Sequence, residues 1–183
     1  MSWYRRRYVP GGTYFFTVVT HLRRAILTTD LARPLLREAI LEEQVHRPFD
    51  LLAIVLLPDH LHAVWTLPEN DSDYSSRWSR IKESFTRSYL AIGGEEGATT
   101  ERRKARGERG IWQRRFWEHT IDGEDDLKRC LDYLHYNPVK HGLVERVSDY
   151  PWSTFRKFVR IGEYDLHWGT GEAPLEVPGA EWE

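Results

Sequence analysis

Cysteine is nearly absent: Cys130 is the only one in 183 residues. That excludes an intrachain disulfide and any zinc site built from several thiolates. Long apolar runs are absent too, since nothing approaches the roughly 18 residues needed to cross a bilayer. Arg5-Arg6-Arg7 is basic but no apolar segment follows it, so the start does not read as a signal peptide. A cytoplasmic protein without membrane contact is expected. There is no internal repeat and no sign of a second compact domain, and 183 residues suffice for one domain with a proper core. Neither charge sign dominates, with 26 Lys and Arg against 28 Asp and Glu and a net charge of −2.

The distribution of charge says more than its sum. Residues 161–183 hold six acidic side chains and no Lys or Arg, and the remainder of the chain carries +4 without them. Residues 1–160 are therefore read as the working domain and 161–183 as an acidic tail. Basic residues gather in Arg5-Arg6-Arg7 and again between Arg102 and Arg115, where seven Lys and Arg occur. Clustered positive charge can follow a phosphate backbone in a chain that is near neutral overall. It can equally be a solvated surface.

The apolar pattern sets the elements. Tyr14 to Thr20 is β-rich after the turn residues Pro10-Gly11-Gly12. Leu31 to His46 shows a helical stripe opening after Asp30, a candidate N-cap. Leu51 to Leu57 is a short continuous apolar run, as in a strand buried on both faces. After Pro58-Asp59, residues 60–67 alternate strictly: Leu61, Ala63, Trp65 and Leu67 face one way, His60, His62, Val64 and Thr66 the other. Ser75 to Ile92 reads as a second helix. Gly93 to Gly110 lacks apolar periodicity and reads as a mobile connection. Arg115 to Ile121 reads as a fourth strand. Leu127, Cys130, Leu131 and Leu134 then mark a helix that Pro138 should end. The order predicts an α+β fold of the ferredoxin-like, RRM-like split β-α-β type, with an antiparallel sheet and an additional C-terminal helix that bears a tyrosine.

Two histidines at i and i+2 on a strand put both imidazoles on one face, where they can share a divalent metal or simply stand as half-exposed side chains. On the last helix, Tyr133 falls about 120° and Asn137 about 80° to the same side of the apolar stripe. A tyrosine there is either a packing residue at the rim or, beside an amide oxygen and a metal, a nucleophile. His119, His135 and His141 lie nearby, with structural, shuttling and ligand roles all open.

Pro58-Asp59-His60-Leu61-His62-Ala63-Val64-Trp65 resembles the His-hydrophobe-His signature of single-tyrosine HUH transposases. The segments Asp132 to Val144, Trp112 to His119, Tyr150 to Phe155 and Tyr4 to Thr17 are similar to their REP-associated branch, in the same order, over roughly residues 3–160. The resemblance implies a metal-dependent transposase that nicks and rejoins single-stranded DNA at hairpins of repetitive extragenic palindromes, associated with the nucleoid. Tyr133 would attack the phosphate, leaving a 5′-phosphotyrosine and a free 3′-hydroxyl. His60 and His62 would hold Mg or Mn, with Asn137 where relatives often carry a glutamine. Arg5, Arg6, Arg7, Tyr8, Arg114 and Arg115 would hold the DNA, and the protein would act as a monomer or homodimer. The competing functions are a non-catalytic single-stranded nucleic-acid-binding module on the same sheet, and a metal-dependent nuclease using water.

Overall fold

In the computed structural model, residues 7–170 are described, and their backbone is organised around one four-stranded sheet. The strands are β1 (Thr13–Val19), β2 (Asp50–Leu56), β3 (His60–Thr66) and β4 (Trp117–Thr120). Their spatial order is β2-β3-β1-β4, every pair antiparallel. Helix α1 (Ala32–His46) joins β1 to β2, and α2 (Tyr74–Ala91) joins β3 to β4. That is the expected ferredoxin-like arrangement. A single turn α3 (Glu101–Lys104) follows α2, and α4 (Glu124–Lys140) and α5 (Phe155–Arg160) come after β4.

Strand parity divides the core in two. Tyr14, Phe16 and Val18 of β1 join Leu61, Ala63 and Trp65 of β3 under α1 and α2. Trp65 stacks on Trp78 of α2 at 4.6 Å between centroids and lies 4.2 Å from Phe49. Phe15 and Val64 point the other way, into a second core with Cys130, Tyr133 and Leu134 of α4. The sheet is thus covered on both faces, and β1, one of its two inner strands, is buried along nearly its whole length.

Several boundaries differ from those expected. The capping residue of α1 is not Asp30: the Thr29 hydroxyl accepts from the Ala32 amide at 3.2 Å, while the Asp30 carboxylate pairs with Arg33. Pro138 does not end α4. It lies inside the last turn, and the helix runs two residues further to Lys140. A proline costs a helix one amide donor, and here the last turn is closed beyond it. Gly142 adopts the left-handed φ of 65°, its amide reaches Val139 O at 2.9 Å, and the Leu143 amide reaches Pro138 O at 2.9 Å. That paired closure is a Schellman motif, which favours glycine.

The connection from 93 to 110 is a folded excursion rather than a structureless one. Gly97 N donates to Gly110 O at 3.0 Å, and the Glu96 carboxylate takes the Gly110 amide at 2.9 Å and the Arg109 guanidinium at 2.6 Å. Arg103 reaches His21 Nδ1 at 2.8 Å and Trp112 O at 3.2 Å, tying the excursion to the end of β1. Past α5, Tyr164 donates to Asp132 at 2.6 Å and Trp168 packs on Tyr164 at 4.7 Å, so the described part of the acidic segment lies against α4 and α5.

Candidate active site between the sheet and the fourth helix

The tight turn at Pro58-Asp59 starts β3 with His60, and its parity turns His60 and His62 toward α4. The face expected to be open is therefore roofed. His60 and His62 are 1% and 0% exposed, and Asn137 is 0%. Buried imidazoles need partners, and their Nδ1 atoms have them. Asp59 Oδ1 lies 2.7 Å from His60 Nδ1, and since a carboxylate only accepts, Nδ1 carries the hydrogen. Thr17 stands directly opposite His62 in the β1–β3 register, and its hydroxyl lies 2.9 Å from His62 Nδ1. The rings lie 5.0 Å apart, centroid to centroid, and His141 lies 5.2 Å from His60.

Electrostatics follow from this crowding. Burial pushes the His62 imidazole well below its ordinary range, aided by His60, His141 and Lys140 and opposed by its hydrogen bond with Asn137. His141 is lowered by burial and by His60. Burial alone would raise the Asp59 carboxyl, but the His60 hydrogen bond and charge, and then Arg23, outweigh it and hold it down to about 2. Arg23 Nη1 donates to Asp59 Oδ2 at 3.0 Å. It gets there through an uncommon bend: Leu22 and Arg23 both adopt left-handed φ values, 54° and 50°, which cost an L-residue energy.

Tyr133 is 6% exposed, more deeply placed than the margin its helical position implied. Its ring meets Phe15 edge-on at 6.0 Å and His62 at 5.5 Å. Lys140 Nζ donates to the Tyr133 hydroxyl at 3.1 Å. Tyr133, Asn137, His60 and His62 are therefore brought together. Of the basic residues, Arg114 and Arg115 are exposed and follow Gln113, whose amide bonds Val19 O at 2.9 Å, beside the end of β1 that pairs with His60. Arg7 and Tyr8 are exposed at the opposite end of β1, with Tyr8 stacked on Tyr74 at 4.9 Å. Arg5 and Arg6 lie outside the described residues.

Could these residues hold a metal? His60 Nε2 is a buried nitrogen with no hydrogen-bond partner among the described residues. With Nδ1 of His60 held by Asp59, its Nε2 is the atom turned to a metal, and fixing a ring through Nδ1 is the usual second layer of a histidine metal site. His62 is fixed in the same way by Thr17 and also bonds Asn137. Imidazoles suit Zn, Mn, Fe, Ni or Cu, and with an amide oxygen they can contribute to a Mg site when phosphate oxygens fill the remaining positions. A second cluster that could hold an ion is His119, Asp126 and Cys130, with ligand atoms within 4.8 Å of one another. There His119 Nε2 and Asp126 Oδ2 are bonded to each other at 2.7 Å, and burial pushes the Cys130 thiol up to about 12. His135 is spent on the Thr154 hydroxyl at 3.1 Å.

Asp59, Thr17, Arg23 and Lys140 were not singled out as site residues from sequence. Asp59 and Thr17 left a readable trace, an acid directly before the first histidine and a hydroxyl on the neighbouring strand. Arg23 and Lys140 depend on a bend and a helix ending that no local pattern announces.

The site is thus a His-x-His pair on a ferredoxin-like sheet, facing a helix that bears Tyr133. No family model matches the chain. Individual relatives do. The REP-associated tyrosine transposase of Escherichia coli (strain K12) is 46% identical over 168 residues, 92% of this chain and 91% of that protein. A Haemophilus influenzae relative assigned to the same family is 44% identical over 179 residues, covering 98% and 99% of the two chains. A solved REP-associated tyrosine transposase bound to a REP hairpin superposes with a TM-score of 0.75 at 42% identity, covering 97% of this chain and 99% of that one. The chain belongs to the REP-associated tyrosine transposases. Among the described residues, no helix is long and apolar enough to cross a membrane.

Proposed function

We propose that this protein nicks and rejoins single-stranded DNA at REP-type hairpins, with Tyr133 as the nucleophile and Mg or Mn held by His60, His62 and Asn137. The observation that carries the proposal is the Tyr133 ring set 5.5 Å from His62, beside a histidine pair whose Nδ1 atoms are already engaged by Asp59 and Thr17. The solved relative bound to a REP hairpin supports the substrate. When bound, the metal supplies Lewis-acid polarisation of the scissile phosphate. The Tyr133 oxygen attacks phosphorus, the bond to the 3′-oxygen breaks, and the chain is left as a 5′-phosphotyrosine with a free 3′-hydroxyl. The covalent bond keeps the energy of the phosphodiester, so rejoining needs no nucleotide cofactor.

Residues 1–160 are the working domain in this proposal. Arg114 and Arg115, at the active-site end of β1, hold the DNA close to the reaction, while Arg7 and Tyr8 hold a part that lies further off, and Arg5 and Arg6 add positive charge to the DNA-holding set. One chain supplies both histidines, the tyrosine and the asparagine, so a monomer is sufficient and a homodimer is not required. The protein works in the cytoplasm at the nucleoid.

The test is a denaturing gel. Incubation of the full chain with a REP-type hairpin oligonucleotide bearing a single-stranded foot and Mn gives a covalent protein–DNA adduct, EDTA abolishes it, and Tyr133→Phe gives none. An adduct with Tyr133→Phe refutes the nucleophile, and cleavage without an adduct indicates a water-using nuclease instead.

A further inference from the structure

We propose that Lys140 is a catalytic residue, whose ammonium stabilises the charge on the Tyr133 oxygen both when it attacks the phosphate and when it is expelled during rejoining. The inference rests on Tyr133 being the nucleophile. Lys140 Nζ donates to the Tyr133 hydroxyl at 3.1 Å and stands 4.8 Å from the ring centre. An ammonium offers three donors and no acceptor, so it favours the oxygen the more negative that oxygen becomes. The other rings against Tyr133, Phe15 and His62, meet it edge-on, and Phe15 has nothing to offer a developing phenolate.

The fold accounts for the reach. Lys140 is seven residues beyond Tyr133, two helical turns along one face. It is inside the helix only because α4 continues past Pro138 to the glycine-closed ending at Gly142. Had the helix stopped at Pro138, Lys140 would have left that face. Lys140 and His141 are also exposed, whereas Tyr133, His60, His62 and Asn137 are buried. The lysine therefore stands at the solvent side of a closed site, with its charged end turned inward onto the reacting atom.

The chemistry balances without consuming the lysine. In cleavage the Tyr133 oxygen bonds to phosphorus, the electron pair of the P–O3′ bond stays with the 3′-oxygen, and the phenol proton is lost as the 3′-hydroxyl gains one. In rejoining the 3′-hydroxyl attacks, the P–Tyr133 bond breaks, and the proton returns to the phenol. Lys140 remains an ammonium in both directions, which distinguishes it from a general base.

The experiment uses the full chain, a REP-type hairpin oligonucleotide and Mn, and measures single-turnover nicking and, from isolated adduct, rejoining. Lys140→Met slows both directions by about 100-fold, the cost of removing one donor aimed at a developing oxyanion. Hairpin affinity changes by less than about threefold, a change too small to matter beside that loss. Lys140→Arg, which keeps a cationic donor, recovers most of the rate. Fluorinated tyrosines placed at position 133 supply the readout that a packing role would not move: in Lys140→Met the rates depend more steeply on phenol basicity than in the parent. Nicking and rejoining at parental rates overturn the proposal, as does a slowed variant with an unchanged dependence on basicity. Tyr133→Phe run alongside separates the two claims. An adduct there defeats the nucleophile itself, while its absence with an unimpaired Lys140→Met defeats only Lys140. Lys140 is exposed, so the variants are expected to fold, and circular dichroism melts check that they do.

Discussion

Asp59→Asn exchanges one carboxylate oxygen for an NH2 group with no change in size, next to a histidine that the fold has buried. In the parent, one Asp59 oxygen accepts from His60 Nδ1 at 2.7 Å and the other from Arg23 at 3.0 Å. Asparagine has a single acceptor oxygen and cannot serve both. If that oxygen faces His60, the NH2 group meets the Arg23 guanidinium, donor against donor. If the amide flips, the NH2 group faces Nδ1 and drives the hydrogen onto Nε2, the nitrogen proposed to bind metal. Either way the negative charge beside His60 is lost. Removing such a partner ordinarily costs 10- to 100-fold in metal affinity, about 1.4 to 2.7 kcal/mol. The flipped form belongs at the upper end because it removes a ligand rather than weakening one. Calorimetric titration with Mn in the absence of DNA reads the affinity, and nitrogen spectra of labelled histidine read which ring nitrogen is protonated. Unchanged affinity with an unchanged tautomer refutes the reasoning. A loss seen with Asp126→Asn and not with Asp59→Asn would assign the ion to the cluster of His119, Asp126 and Cys130.

Two further outcomes concern stability. Burial pushes the His135 imidazole down to about 3, against about 6.5 in an unfolded chain. Below pH 6.5 the unfolded chain therefore binds a proton that the folded one refuses, so this stability is fully present above that pH and falls as pH drops toward 3. The slope is at most about 1.4 kcal/mol per unit. Urea midpoints followed against pH should be steeper in the parent than in His135→Gln by about one proton, and identical slopes would show that His135 titrates normally. Leu22→Gly relieves a left-handed residue that is 69% exposed and has little packing to lose. Relief of strain and the larger chain entropy of glycine oppose each other, leaving a net gain of about 0.5 to 1 kcal/mol. A lower melting temperature for Leu22→Gly would mean that Leu22 packs against something its exposure does not reveal.

The sheet was legible because its patterns are local. Alternation through residues 60–67 assigned Leu61, Ala63 and Trp65 to one face and His60 and His62 to the other, and both assignments hold. The rotation of α4 was less legible. Its apolar stripe, taken from Leu127, Cys130, Leu131 and Leu134, put Tyr133 and Asn137 at the margin. In the fold the buried face is centred nearer Cys130, Tyr133, Leu134 and Asn137, while Leu127 and Leu131 are only partly buried. A stripe computed from apolarity leaves out Asn137, although it is buried because His62 across the interface gives it a partner. The segment from 93 to 110 was illegible for a related reason. Much of its order comes from His21 and Arg24, both distant in sequence, and composition carries no trace of them.

The position of α4 along the sheet decides whether Tyr133 meets His62 at all, and polar contacts set it more sharply than apolar ones can. At the start of the helix, Asp126 bonds His119 of β4 at 2.7 Å and the Asp122 amide at 2.9 Å. Two residues beyond Tyr133, His135 reaches the Thr154 hydroxyl at 3.1 Å, and that hydroxyl in turn accepts from the Ile54 amide of β2 at 3.0 Å. Leucines and a cysteine on a helix would tolerate sliding by one turn, about 5.4 Å, with similar area covered. The polar groups would not: a slip strands Asn137, His135 and Asp126 together, and each buried group left unbonded costs about 1 to 3 kcal/mol. Against a typical domain stability of 5 to 15 kcal/mol, that is enough to hold a single register. His119 and His135 thus fix, through the backbone of α4, where the tyrosine stands.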